Sequence, residues 1–541
     1  MLWKKTGFIG ACLIVAGVLP APGRAADEPA EAPQRAACDE LKFADFAGIQ
    51  DAPTRVMDSR VAEAGGEIPA TCLLRGHVAP QVGFQMKLPL ANWNGKLAQL
   101  GTGGYAGSTQ SAGDLRLCDE MVRRGYACVN SDYGHTSGIT AKSLALLDGV
   151  WAYNNLQAKL DYGYRGIYVV ALAAKAVAKH YYGSEQQRSY FIGCSNGGRQ
   201  AMVAAQRFPW EFDGILALEP AINISGAFLS FAYNERAVTG ADGQPLFTPA
   251  ELEMLHNSSI ARCDLDDGLK DGIIGNPSAC VFDPAQVACS DERKEACLSP
   301  AQIAAANKVY AGGMTSTGRQ WYRGGVMPGA ERGSFGFAAA RPLVRHALKD
   351  FVRYLAFMPD AGPGAKLSDV DFDQDYKRLA LMEALYESSN PDLRPLKEAG
   401  GKLMIVQGWD DSGTPFPLNT IDYYETMQRT MGGPKQTQDF ARLFMVPGRQ
   451  HCVGGEGASA ADFIGQLEGW VEQGKAPDMI KTYHIESDNP IDHLREPTDP
   501  AKIKFSRPLY PYPLAAKYKG SGDVNDYRSF KPVDLSTIRV K

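Results

Sequence analysis

Residues 190–200 read YFIGCSNGGRQ, and this stretch limits the ways the chain can fold. The apolar run "RSYFIG" has the length and content of a buried strand. "GGRQAMVAAQRFP" follows with helical spacing and a stop at Pro209. A strand that passes straight into a helix needs residues without Cβ at the bend, and Gly193, Gly197 and Gly198 supply them. The same alternation recurs on both sides. "KLAQLGTGG" reads as a strand entering a glycine-rich loop, "MVRRGYACVNSDYG" as a helix end and a strand, and "YVVALAAKAVAKHYYG" as an amphipathic helix. "FDGILALEPA", "GGKLMIVQGWDD" and "ARLFMVPG" read as strands, with helices at about 417–431 and in "ADFIGQLEGWVEQG". Alternating strands and helices predict a mostly parallel, doubly wound sheet wrapped by helices. Between 222 and 395 the pattern breaks into helices and Gly/Pro/Asp-rich loops. The expected organisation is therefore a first sheet segment over 26–221, an inserted lid domain over 222–395 and a second sheet segment over 396–541.

A chain of 541 residues, 45% hydrophobic, has ample material for such a core. Its formal charge is −5 and no Lys/Arg-rich arm occurs, which argues against a nucleic-acid partner. Lys4 and Lys5, the apolar "GFIGACLIVAGVLP" and the small residues of "APGRAADEPA" read as a secretory signal over 1–25, cut after Ala25. The apolar run is too short to span a bilayer and none later is long enough, so no membrane span is expected. "IGAC" lies at the start of the run instead of its end, which speaks against a lipid anchor. Residues 26–37 read as a loose leader. Without Lys4, Lys5 and Arg24 the charge becomes −8. A secreted or periplasmic protein is expected. Cys12 leaves with the signal, and the ten remaining cysteines favour a disulfide framework.

Gly193-Cys194-Ser195-Asn196-Gly197 fits G-x-S-x-G, and the strand before and helix after make Ser195 a candidate nucleophile on a strained turn. A serine hydroxyl needs a base to take its proton and an acid to orient that base, here in the order Ser, Asp or Glu, His. Among His77, His135, His180, His256, His346, His451, His484 and His493, only His451 follows a strand, lies in a glycine-rich loop and comes after the serine. His135 follows a strand but precedes the serine, and reads as loop support. His180 reads as solvated on a helix surface, and His484 and His493 as solvated in a polar tail. Asp410 and Asp411 in "VQGWDDSG" both follow a strand at the right point in the order; spacing favours Asp411, with Asp410 as a turn residue. Two backbone N–H groups should await the oxyanion. Asn196 supplies one, and "GTGGYAG" supplies the other through Gly103 or Gly104.

Ser195 and His451 each adjoin a cysteine, Cys194 and Cys452. Together with "YFIGCSNGGRQAMVAAQRFPWEFDGILALEPA", "NSDYGH", "GGKLMIVQGWDD" and "RQHC", this arrangement resembles the tannase and feruloyl esterase family of α/β-hydrolases over nearly the whole mature chain. The resemblance implies a Cys194–Cys452 disulfide behind the triad. It also implies a Cys38–Cys72 bridge, a Cys263–Cys280 staple and a small Cys289–Cys297 ring; Cys118 and Cys128 remain an extra pair or thiols.

"CDLDDGLKDGII" lacks the EF-hand pattern, and composition alone reads it as a solvated acidic turn. The resemblance instead implies a structural calcium held by Asp264, Asp267 and Asp271 with the carbonyls of Leu269 and Ile273, Asp266 pointing elsewhere. No organic cofactor is implied. The implied activity is hydrolysis of aromatic, hydroxycinnamoyl or galloyl, carboxylic esters through an acyl-enzyme. Since mono(2-hydroxyethyl) terephthalate hydrolase shares the family, terephthalate monoesters or other phenolic esters are the alternative. An inactive phenolic-binding protein is the reading from a different class. Trp321, Tyr322, Phe351, Tyr354 and Phe357 are candidates to stack on a substrate ring, although each reads individually as core.

Overall fold

The computed structural model describes residues 32–137, 146–291, 295–333, 335–412, 417–487 and 489–535. The signal segment 1–25 lies outside them.

Nine strands form one sheet: β1 (Thr54–Ala62), β2 (Thr71–Val78), β3 (Val82–Pro89), β4 (Lys96–Leu100), β5 (Ala127–Ser131), β6 (Arg188–Cys194), β7 (Gly214–Leu218), β8 (Lys402–Gly408) and β9 (Ala441–Val446). Their spatial order is β1-β2-β3-β5-β4-β6-β7-β8-β9. From β5 to β9 all neighbours are parallel, while β1, β2, β3 and β5 pair antiparallel. Side-chain patterning follows from this difference. β7 and β9 are buried at every position because helices cover both faces, whereas β1 alternates buried and exposed residues.

Each sheet face has its own core. On one face Leu100, Ile192, Leu218 and Val406 meet Phe463 and Trp470 of the helix Phe463–Gln473. On the other, Phe191, Ile215 and Ile405 share a core with Phe228, Phe231, Leu255, Val309 and Phe351. Those five belong to the helical segment between β7 and β8, which includes helices Ile224–Ala237, Pro249–Cys263, Pro300–Ala311 and Pro342–Asp350.

β4 lies between β5 and β6, so the chain leaves β4 toward one side and returns to build the sheet on the other. The loops after β4 and β6 consequently face each other at a topological switch point, where a crevice opens beyond the strand ends.

One expectation changes. Residues 32–37, read as loose leader, lie in the helix Ala32–Glu40, which Cys38 ties to Cys72 of β2. The polar tail forms two strand pairs. Ile480–Ile485 pairs with Ile503–Leu509, and Leu514–Tyr518 with Phe530–Asp534, each antiparallel.

Candidate active site

β6 ends at Cys194 and the next helix starts at Asn196, so Ser195 alone makes the turn, with φ 64° and ψ −123°. L-residues avoid this region unless the surroundings enforce it. Here the Ser195 N–H donates to the Leu218 carbonyl at 3.0 Å, and the Ser195 carbonyl accepts from Arg199 N at 2.9 Å and Ala221 N at 3.2 Å. The bend is also too tight for side chains. A Cβ on Gly193 would lie 2.4 Å from the Gly197 carbonyl oxygen, and one on Gly101 would lie 2.6 Å from Gly197 Cα.

The helix Asn196–Arg207 holds the glycine-rich loop after β4 against this turn. Asn196 Nδ2 donates to the Thr102 carbonyl at 2.8 Å, and Gln200 Oε1 accepts from Thr102 N at 2.9 Å. Buried Arg199 donates to Asn196 Oδ1 and to the carbonyls of Tyr162, Gly163 and Tyr386, which fixes the Asn196 side chain. Thr102 N is thus engaged, and Tyr105 N donates to the Leu146 carbonyl. Gly103 and Gly104 are the loop amides between these two engaged positions.

Asp411 and His451 meet beyond the ends of β8 and β9. His451 Nδ1 lies 3.1 Å from Asp411 Oδ1 and 3.0 Å from Oδ2. Asp411 is buried, and Gln407 Nε2, itself oriented by Thr420 Oγ1, donates to its Oδ2 at 3.3 Å. The His451 side chain retains 30% exposure. Burial disfavours the charged imidazolium. The charge and hydrogen bond of Asp411, with Glu219 behind, outweigh that and hold the pKa above its ordinary 6.5. The neighbouring carboxylate faces elsewhere: Asp410 looks toward the loop carrying Gly329 and Glu331, and burial with the Glu331 charge pushes it up to about 7.

A Cys194–Cys452 disulfide, Cα atoms 5.9 Å apart, joins the two segments that carry Ser195 and His451. Beneath it Glu219 and Arg449 form a fully buried ion pair at 2.6 Å. Sequence reasoning assigned neither residue a role; the only signal was their position within the stretches "LEPA" and "GRQHC". Cys194, Glu219 and Cys452 form the one cluster of three such groups, among the described residues, with ligand atoms all within 4.8 Å. Bonded sulfurs have no thiolate to offer a metal.

The other candidates are distributed as follows. His135 is buried against Trp151, with ring centroids 3.7 Å apart, and its pKa is lowered to about 3 by burial. His180 is exposed. The solvated reading of the tail histidines is incorrect. His493 is buried, with Nδ1 3.1 Å from Ser459 Oγ and Nε2 3.1 Å from the Ser487 carbonyl. His484 sits on the strand Ile480–Ile485, stacked on Phe505. Tyr322, Phe351, Tyr354 and Phe357 are core residues, and Trp321 stacks on Phe372 while donating to Ser230 Oγ.

In the acidic loop, Asp264 Oδ1 accepts from the amides of Asp271 and Gly272, and Asp267 Oδ1 from Leu269 N. Asp271 Oδ2 accepts from Arg507 Nη2 at 2.7 Å, while Asp266 is exposed. Three carboxylates on one loop, Asp264 buried and Asp267 and Asp271 half-buried, with the Arg507 guanidinium beside them, are a donor set of the type a hard cation takes. Their oxygens do not all gather within 4.8 Å. Cys263–Cys280, Cys289–Cys297 and Cys118–Cys128 are all bonded, so the open question about the last pair resolves to a disulfide.

A serine held in a strained strand-to-helix turn, at the switch point of a mostly parallel sheet, belongs to the α/β-hydrolase fold. Residues 67–533 match the profile described as "Tannase and feruloyl esterase", and the chain belongs to that family of carboxylic ester hydrolases. It is 32% identical to mono(2-hydroxyethyl) terephthalate hydrolase of Piscinibacter sakaiensis, covering 92% of this chain and 91% of the relative. It is 31% identical to a probable feruloyl esterase of Arthroderma benhamiae, covering 82% of this chain and 81% of the relative. Feruloyl esterase B from Aspergillus oryzae has the same fold at TM-score 0.79, with 23% identity over 92% of this chain and all of that one. Tannin acyl hydrolase from Aspergillus niger superposes at TM-score 0.70, with 21% identity over 94% and 95% of the two chains.

Proposed function

We propose that the protein is an exported serine esterase that cleaves aromatic carboxylic esters of the hydroxycinnamoyl or galloyl kind through an acyl-enzyme. The observation that carries this reading is the His451–Asp411 hydrogen bond beside the Cys194–Cys452 bridge, which holds an oriented imidazole next to the strained Ser195 turn.

Ser195 Oγ attacks the ester carbonyl while His451 takes its proton and then delivers it to the leaving alcohol. Asp411 keeps the Nδ1 proton in place and stabilises the imidazolium. The amides of Asn196 and of Gly103 or Gly104 receive the oxyanion, aided by the positive end of the helix Asn196–Arg207. Water then attacks the acyl-enzyme with His451 as base, releasing the aromatic acid and restoring Ser195.

The substrate class follows the names of the feruloyl esterase and tannin acyl hydrolase relatives. Terephthalate monoesters form the second reading, favoured by the 32% identity to the Piscinibacter enzyme. Residues 222–395 act as the lid over the crevice. Export follows from the signal-like first 25 residues, and five disulfides suit an oxidising compartment. No described helix is long and apolar enough to cross a membrane. Asp264, Asp267 and Asp271, with the Leu269 and Ile273 carbonyls, would hold a structural calcium.

The test is hydrolysis of methyl ferulate, chlorogenate, methyl gallate and mono(2-hydroxyethyl) terephthalate by wild type and Ser195→Ala. Highest kcat/KM on a ferulate or gallate ester, lost in Ser195→Ala, is expected. Preference for the terephthalate ester moves the assignment to the second reading, and turnover surviving in Ser195→Ala refutes the mechanism.

A further inference from the structure

Below the candidate site lies a buried ion pair that the reaction outlined above does not use. Glu219, the first residue after β7, and Arg449, in the turn after β9, both have fully buried side chains, with Arg449 Nε 2.6 Å from Glu219 Oε1. Two ions withdrawn from water are commonly no more stabilising than an apolar pair of equal volume. Stability is therefore a poor account of why they are there.

Their contacts converge on one short turn. Arg449 Nη1 donates to the Ser459 carbonyl at 2.7 Å and Nη2 to the Cys452 carbonyl, so one guanidinium spans the loop that presents His451. The Arg449 carbonyl accepts from Asp410 N at 3.1 Å, and Gly408 packs so closely that a Cβ there would lie 2.2 Å from that carbonyl oxygen. The segment carrying Asp411 is thereby tied to the segment carrying His451. On the other side, Glu219 N donates to the Val406 carbonyl at 2.8 Å, and Glu219 Oε2 touches Cys194 Sγ at 3.3 Å. That sulfur is bonded to Cys452 and has no proton to give. Glu219 holds this place with φ 39°, a left-handed conformation that a non-glycine residue keeps only under constraint. The ends of β6, β7 and β8 and the turn after β9 all meet at this pair.

We propose that Glu219 and Arg449 are positioning residues for His451: their buried bond fixes the His451–Cys452 turn, and their opposed charges set the electrostatic field at the imidazole. The proposal rests on the reading of Ser195 and His451 as nucleophile and base. The charged groups facing Glu219 are Arg449, Asp411 and His451. Glu219 favours the protonated imidazole and Arg449 opposes it, so each charge offsets the other at the base.

The pH dependence of kcat/KM reports the free base. In wild type the acid limb is expected above 6.5, since the His451 pKa is raised. Glu219→Gln keeps the shape and an acceptor for Arg449 but removes the negative charge. The uncompensated guanidinium then disfavours the imidazolium, and the acid limb moves to lower pH by about half a unit or more. Removing both charges in Glu219→Gln/Arg449→Gln returns the limb toward the wild-type position. A pair that only braces the fold predicts the opposite pattern: lower activity in both variants with the limb unmoved, which overturns the proposal. If Glu219→Gln fails to fold, Arg449→Gln decides: it removes the opposing positive charge, so the acid limb is expected to move to higher pH, and an unmoved limb refutes the electrostatic role. Ser195→Ala, assayed alongside, keeps the two levels apart. Turnover surviving there overturns the triad reading, whereas abolished turnover with an unmoved Glu219→Gln limb overturns the positioning role alone.

Discussion

Replacing both cysteines of the central bridge, Cys194→Ala/Cys452→Ala, separates its thermodynamic effect from its geometric one. The bond closes a loop of 258 residues. Loop-closure entropy assigns such a crosslink about 5.5 kcal/mol at 25 °C. Unfolding a chain of this length carries an entropy of about 1.1 kcal/mol/K, so the melting temperature should fall by only about 5 °C. The double variant therefore stays folded at 25 °C. Catalysis responds on another scale, because the bridge crosslinks the Ser195 turn directly to the His451 turn. Freed from it, the imidazole need move only about 1 Å from the line of proton transfer to lower kcat about 100-fold. The assay is steady-state hydrolysis of an activated ester at 25 °C, beside a thermal melt of the same preparation. A small loss of melting temperature with a large loss of kcat supports the clamp. Wild-type kcat with the expected drop in melting temperature refutes it and leaves the bridge as a staple.

Three further outcomes are expected. Asp411→Asn should lower kcat by about 10⁴-fold, because the wrong imidazole tautomer then faces Ser195, whereas Asp410→Asn should leave kcat within a few-fold. Asp410 should instead appear in stability. Its pKa in the folded protein is raised to about 7 by burial and Glu331, so the stability that its neutral form contributes is present at about pH 4 and lost as pH rises toward 7. Asp410→Asn keeps a neutral group at every pH, and its melting temperature relative to wild type should grow between pH 4 and pH 8; a constant difference contradicts the shift. Chelation of calcium should lower the melting temperature and leave kcat of the still-folded enzyme unchanged, and an unchanged melting curve refutes the metal assignment.

The parts of the site legible in the sequence are those that depend on local geometry. Ser195 could be found because a strand-to-helix bend demands glycines at fixed offsets, and Gly193 and Gly197 stand there in plain view. The strands β6 to β9 could be found because burial on both faces leaves nearly continuous apolar runs. The tail misled because its polar composition hides pairing between strands. His493 is buried by Ser459 and Ser487, and nothing in its own neighbourhood announces them. Asp410 and Asp411 were told apart in the sequence by spacing alone, which favoured Asp411. They are chemically identical neighbours, yet one meets His451 and the other faces the loop around Gly329.

By itself the sequence determined the alternation of strands and helices, the strained serine turn, the chain order of nucleophile, acid and base, and an even set of cysteines. These are properties of residues and their near neighbours, written in periods of two and 3.6 and in the needs of single turns. Spacing already favoured Asp411 over Asp410, whereas only the tertiary structure decided that Cys118 bonds Cys128. It alone revealed that Glu219 and Arg449, 230 positions apart, share one bond beneath the site. Such pairings are set by how the strands order themselves across the sheet, and that order depends on the packing of the whole core, which no local stretch encodes.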